Sequence, residues 1–291
     1  GELLSFLDPE QVFQVAPDRG FSARFWGVRG SIACPGADYI IYGGNTPCVE
    51  IRCGSRLLVF DAGTGLRNLG KSIAEDGITD VDLFLSHTHV DHIVGFPFFS
   101  FAFKPENTLR VWSGHLEGGL TTENVLRQFM VAPLFPVPVD IFAADVSYHD
   151  FSAGDTLTLA DNVTLRTTML NHPQNSTGYR VEFGGKSICY VTDTEHFEDG
   201  PDQNILGLID GADIVIYDSM FTDAEYPDYK EWGHSTWQEG ARLCAAANVG
   251  TFVIFHHLPE RTDAELDGIA AAVDEMRPGS LVAREGMVLK P

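Results

Sequence analysis

The amino-acid sequence predicts an α/β protein in which strands outnumber helices. Three observations carry that expectation. Short apolar, β-rich runs follow one another between Gly, Asn and Asp punctuation, two helix starts carry capping signatures, and 44% of the 291 residues are hydrophobic against 21% charged. That composition suits a sizeable buried core and excludes a disordered or collagen-like chain.

In chain order, FSARFW at 21–26 reads as a strand, followed by a Gly-rich loop to Asn45. PCVEIRC and RLLVF are two strands joined at Gly54-Ser55, a hairpin signal. DAGTGLRNLG leads a helical stretch that ends near Gly77, and VDLFLS is an apolar run of strand length that stops at His87. Further strands are expected at 109–112, 163–170, 179–183, 187–191, 214–217 and 251–255. Ser235-Thr-Trp-Gln238 and Thr262-Asp-Ala-Glu265 read as capping boxes, the first opening a helix with Trp237, Ala241, Cys244 and Ala245 on one face, the second a helix running to about Met276. The stretch 104–150, with Pro133, Pro136 and Pro138 and a helix near 122–130, reads as an insertion or lid over one edge.

Charge narrows the function. Lys plus Arg is 19 and Asp plus Glu is 41, a net charge of −22. A surface that wraps a long nucleic acid is normally basic, so a large nucleic-acid partner is not expected, and any anionic substrate needs local positive charge such as bound metal. The five cysteines form no Cys-x-x-Cys pair and read as buried thiols of a reducing compartment. GELLSFLDPE has no basic region leading into an apolar stretch, and no run is long enough to span a bilayer. A cytoplasmic protein without a membrane partner is therefore expected.

His87-Thr-His89-Val-Asp91-His92 leaves the end of the apolar run VDLFLS. His87 and His89 point the same way while the chain is extended, and Asp91 and His92 turn toward a second ion as a helix begins. Such a density of imidazole and carboxylate suits Zn²⁺ or a similar divalent ion. His172, Asp193 and the pair His256 and His257 stand at the ends of other expected strands, where a sheet holds ligands rigidly. His234 precedes the Ser235 helix start, where backbone N–H groups favour an anion, which makes it a candidate proton donor.

Read together, FWGVRGS, YGGNTPC, LLVFDAGTG, HTHVDH, His172 with the following GYR, YVTDT, YDSMF, GHST and FHHLP resemble the metallo-β-lactamase superfamily, nearest the ribonuclease Z and PhnP-like phosphodiesterase branch. The resemblance spans most of the chain. It implies a four-layer αβ/βα sandwich of two packed mixed sheets flanked by helices, one domain over 21–291 behind an N-terminal extension at 1–20. It also implies two divalent ions, most simply Zn with Mn or Fe as alternatives, one held by His87, His89 and His172 and the other by Asp91, His92 and His256, with Asp193 bridging. His256 aligns better than His257, which could instead stand behind the ligands. By the same resemblance Asp61 orients the ligands without being one, and Asp218 pairs with His234. Arg29 and Arg180 are the basic residues nearest these motifs and the candidates for touching phosphate.

The function so implied is a dinuclear metal-dependent phosphodiesterase on a small phosphodiester such as a cyclic nucleotide. A metal-bridging hydroxide would attack, with His234, Asp218 and Asp91 in the catalytic set. A tRNA 3′-processing endonuclease, or an ester, lactone or thioester hydrolase on the same metals, is the alternative. A homodimer is common among such relatives.

Overall fold

A computed structural model describes residues 20–291; the expected N-terminal extension lies, but for Gly20, outside the described residues. Strands β1 (Phe21–Gly27), β2 (Cys48–Cys53), β3 (Arg56–Phe60), β4 (Asp80–Leu85), β5 (Thr108–Ser113) and β6 (Asp145–Asp150) lie side by side in that order. A second sheet follows the order of β7 (Thr156–Thr158), β8 (Thr164–Leu170), β9 (Ser176–Phe183), β10 (Lys186–Val191), β11 (Ile214–Asp218), β12 (Thr251–Phe255) and β13 (Leu281–Val282). The chain then returns as β14 (Val288–Leu289) to the β1 edge of the first sheet, giving seven strands in each. Both sheets are mixed: β1–β3 and β7–β10 pair antiparallel, whereas β3–β6 and β10–β13 run parallel.

Side chains alternate along the central strands, where both faces are buried. In β3, Leu57 and Val59 meet Leu66, Leu69 and Ile73 of helix α1 (Leu66–Glu75), while Leu58 and Phe60 enter the space between the sheets. β12 repeats the pattern, with Phe252 and Ile254 turned toward the helices and Val253 and Phe255 inward. This is why β3, β11 and β12 read as nearly continuous apolar runs in the sequence. Phe60 and Phe84 are fully buried and stack at 5.5 Å between the sheets; each such ring contributes about 1.5–3 kcal/mol of burial. The remaining helices are the single turn α2 (Val90–Ile93), α3 (Thr122–Phe129), α4 (Gln203–Ile209), α5 (Trp237–Ala246) and α6 (Asp263–Met276). α1 and α3 cover the first sheet and α4–α6 the second, which completes the four layers.

Two local features differ from or extend the sequence reading. Helix α5 is capped by Thr236, whose hydroxyl accepts from the Glu239 N–H, not by Ser235. The Ser235 hydroxyl is taken instead by the Tyr217 hydroxyl and His196, each at 3.0 Å, so the cap moves one residue on. α6 carries the expected capping box of Thr262 and Glu265. The stretch 104–150 contributes β5 and β6 to the first sheet, with α3 between them.

Candidate metal centre

The parallel strands deliver their following residues to one rim. Asp61 follows β3, His87 stands two residues past β4, Asp193 two past β10, Asp218 ends β11, and His256 follows β12. Asp61, Asp193 and His256 each adopt left-handed backbone, with φ of 62°, 57° and 61°. That conformation costs a residue with a Cβ about 1–2 kcal/mol, and here it turns three side chains off the strand direction into one cluster.

The cluster divides around Asp193. Its Oδ1 lies 3.5 Å from His172 Nε2 and 3.7 Å from His87 Nε2, and its Oδ2 lies 3.1 Å from His92 Nε2 and 3.2 Å from His256 Nε2. His89 Nδ1 stands 3.1 Å from His172 Nε2 on one side. On the other, Asp91 Oδ2 stands 3.2 Å from His92 Nε2 and 3.5 Å from His256 Nε2. His87, His89 and His172 form one group able to hold a metal ion, and Asp91, His92 and His256 form another.

Chemistry agrees with that geometry. Asp61, Asp91, Asp193 and Asp218 are buried, and every ion pair they form among the described residues is with an imidazole, none with Lys or Arg. Buried carboxylates with no Lys or Arg beside them are costly, and divalent cations would compensate those gathered around Asp193. The buried His87 Nε2 has no hydrogen-bond partner, and burial together with the neighbouring His92 holds this imidazole well below its usual pKa, neutral and able to ligate. Ligands about 2.1 Å from a tetrahedral zinc lie about 3.4 Å apart, which the nitrogen and oxygen separations match.

The outer nitrogens are fixed by the protein. His92 Nδ1 donates to Asp61 Oδ2 at 2.8 Å, and Asp61 also accepts from the Ser86 N–H and hydroxyl and from the Tyr190 hydroxyl. His172 Nδ1 donates to the Gly233 carbonyl at 2.7 Å, and His89 Nε2 to Gln174 Oε1 at 2.9 Å. Gly233 has φ +83°, and a Cβ there would come within 2.4 Å of His172 Nδ1, so only glycine allows this approach. Its N–H donates to Glu195, which also accepts from Tyr226 and Glu231 and so holds the loop. The Ser31 N–H donates to Asp91 Oδ2 at 2.8 Å. Such outer contacts orient metal-site ligands and set their tautomers.

His234 lies at the edge of the cluster, with Nδ1 donating to Asp218 Oδ2 at 2.8 Å and its ring 5.0 Å from that of His256. Burial alone would depress this imidazole, but the Asp218 carboxylate outweighs it and its pKa is pushed up to about 9. His257 points elsewhere: its Nε2 donates to the Ala283 carbonyl at 2.7 Å, and burial holds it down to about 3. Arg29 and Arg180 are likewise committed away from the centre. Arg29 donates to the carbonyls of Gly43, Leu258 and Arg261, and Arg180 to Glu182 and the carbonyls of Leu208 and Asp210. The DAGTG and GGNT segments serve as support: Thr46 and Thr64 exchange backbone-to-hydroxyl hydrogen bonds at 2.9 and 2.8 Å, and Ala62 N–H donates to His92 O.

Tyr190 and Ser31 fall inside the motifs YVTDT and FWGVRGS, and Gln174 and Glu195 stand two residues from His172 and Asp193, but nothing in the sequence pairs them, or His115, with the distant residues they touch. Ser86 has a local signal in its place beside His87. Two cavities flank the region. One of about 310 Å³ is lined by Thr88, His89, His115 and Gln174; a larger one, about 670 Å³, surrounds His196, Phe197, Lys230 and Arg242 and is lined by none of the cluster. No helix among the described residues is long and apolar enough to cross a membrane.

Comparison with known proteins agrees with this arrangement. The Ribonuclease Z of Bradyrhizobium sp. (strain ORS 278) is 26% identical over 273 residues, covering 76% of this chain and 87% of that protein. The metallo-β-lactamase fold protein YhfI from Bacillus subtilis superposes with a TM-score of 0.70 at 18% identity, covering 93% of this chain and 99% of YhfI. A diphosphatase of the PhnP family gives 0.67 at 16% identity, covering 94% and 98%. These two likenesses establish the fold. The model of the β-lactamase superfamily domain matches residues 56–257, from β3 to the His256-His257 pair, and the chain accordingly belongs to the β-lactamase superfamily, among its metal-dependent hydrolases.

Proposed function

We propose that the protein is a dinuclear metal-dependent phosphodiesterase acting on a small phosphodiester, a cyclic nucleotide being one such substrate. His87, His89 and His172 would hold one ion, Asp91, His92 and His256 the other, and Asp193 would face both. The observation that carries the phosphodiester reading is His234: Nδ1 is anchored on Asp218, the ring lies beside those of the expected ligands His172 and His256, and Nε2 makes no hydrogen bond among the described residues. When bound, two divalent ions supply a water acidic enough to attack near neutral pH and positive charge for the phosphoryl oxygens. Asp61 holds His92 in the tautomer that turns Nε2 inward, and Gly233 does the same for His172. Asp218 keeps a proton on His234 Nδ1, so that Nε2–H is the donor available to a departing alkoxide. Zn²⁺ suits the imidazole-rich set best. The five cysteines, all buried and free, fit a reducing cytoplasm.

A second reading, a tRNA 3′-processing endonuclease, is favoured by the similarity to the Ribonuclease Z of Bradyrhizobium over 87% of that protein. The charge of −22 and the commitment of Arg29 and Arg180 to internal partners weigh against a polyanion at this site. Hydrolysis of bis(p-nitrophenyl) phosphate by zinc-loaded protein, beside the Asp193→Ala variant, a precursor tRNA and a lactone, separates the readings. Turnover of the diester, lost in the variant, supports the proposal. Cleavage of the tRNA or lactone alone, with both ions bound, would replace it, and light scattering of the same sample reads whether the enzyme is a dimer.

A further inference from the structure

The cavity of about 310 Å³ beside His89 has a chemistry of its own. Its floor is the HTHVDH loop: His89 and Thr88 line it, with His89 fixed between His172 and Gln174. Buried His115 adds an imidazole whose Nε2 lies 3.2 Å from the Thr88 hydroxyl and whose Nδ1 has no partner. Leu120 supplies an apolar wall. Among the lining residues the sole carboxylate is Glu117, and there is no Lys or Arg. Polar groups that both donate and accept, one apolar side and about the volume of a single small ligand suit a ring-bearing, uncharged group. A phosphate held here would find a carboxylate and no guanidinium or ammonium.

We propose that this cavity binds the non-leaving arm of the diester and that Glu117 selects an arm without a second phosphate. The proposal rests on the phosphodiesterase reading and adds what that reading leaves open, the kind of arm accepted. His234 lies on the other side of the assignment: it serves the leaving oxygen, while His89 and Gln174 flank the arm that stays. Because Glu117 is exposed, its effect is a modest one that salt weakens.

The test compares kcat/KM for three p-nitrophenyl esters with the same leaving group: methyl p-nitrophenyl phosphate, thymidine 5′-(p-nitrophenyl phosphate) and the latter carrying a 3′-phosphate. The native enzyme should prefer the unphosphorylated thymidine ester over its 3′-phosphate. Glu117→Gln should narrow that preference about fivefold at low salt and leave the methyl ester unchanged. Leu120→Trp, which fills the cavity from an exposed position, should raise KM for the thymidine ester about tenfold with kcat for the methyl ester unaltered. An unchanged thymidine preference in Leu120→Trp overturns the cavity assignment; an effect there without one in Glu117→Gln overturns the charge selection. If the zinc-loaded native enzyme cleaves none of the three esters, the phosphodiesterase reading itself falls, and this inference with it.

Discussion

Two His–Asp pairs flank the centre, one delivered by loops of each sheet, and they are alike in their bond. His92 Nδ1 to Asp61 Oδ2 and His234 Nδ1 to Asp218 Oδ2 both measure 2.8 Å, and all four residues are buried. They differ in what the other imidazole nitrogen meets. His92 Nε2 faces Asp91, Asp193 and His256, whereas His234 Nε2 makes no hydrogen bond among the described residues. The surroundings differ too: Asp61 is also bonded by Ser86 and Tyr190, and Asp218 by the backbone N–H groups of Thr194 and Met220. The same dyad can thus orient a ligand or poise a proton donor, and the far nitrogen decides which.

Removing the ions takes away the context of both pairs and should have the largest effect. Chelation is expected to abolish turnover and to lower thermal stability, since each ion present at 1,000 times its dissociation constant contributes about 4 kcal/mol. Activity and thermal midpoint measured before chelation, after it and after zinc return check this; full activity in the metal-free protein would refute the centre. The next change separates the pairs. His234→Ala should lower kcat by about 10²–10⁴ for an alkyl diester, whose alkoxide needs a proton, and far less for p-nitrophenyl esters, with zinc content unchanged. A uniform loss across leaving groups would place His234 in binding, not proton donation.

Asp61→Asn acts on the other pair and should do the reverse. Zinc affinity is expected to fall about 10–100-fold, with equal loss for good and poor leaving groups at limiting metal. Competition with a zinc indicator measures it. A leaving-group dependence in this variant would erase the distinction between the pairs.

The difference between the sheets also governs what could be read from the sequence. His87, His89, Asp91 and His92 lie within one hexapeptide, so one loop displays four of the seven expected ligands. His172, Asp193 and His256 were recognisable because each ends an apolar run. What the sequence concealed is set by packing: Tyr190 reaches Asp61 across 129 positions, and Gln174 reaches His89 across 85. The helix start near Ser235 shows a subtler limit. Ser235 and Thr236 both offer a capping hydroxyl, and the choice falls to Thr236 because Tyr217 and His196 occupy Ser235. Arg29 and Arg180, charged and next to the motifs, are turned by the tertiary fold onto internal partners, Arg29 onto backbone carbonyls beside Asp263 and Arg180 onto backbone carbonyls and Glu182.

His257 offers the smallest test and closes the comparison, because it is a third buried imidazole whose bond leads away from the centre. It donates to the carbonyl of Ala283, packs edge-on against Tyr42 at 6.1 Å, and stands next to His256, whose ring lies among the expected ligands. If the direction of the far nitrogen sets the role, His257→Phe should leave zinc content and turnover intact. It should cost about 1–3 kcal/mol of stability, since the Ala283 carbonyl loses its partner in the interior. Titrating zinc against this variant and His256→Ala distinguishes the neighbours: the second should lose one ion. If His257→Phe instead loses the ion, the assignment of the two histidines is reversed and the rule drawn from the two dyads fails with it.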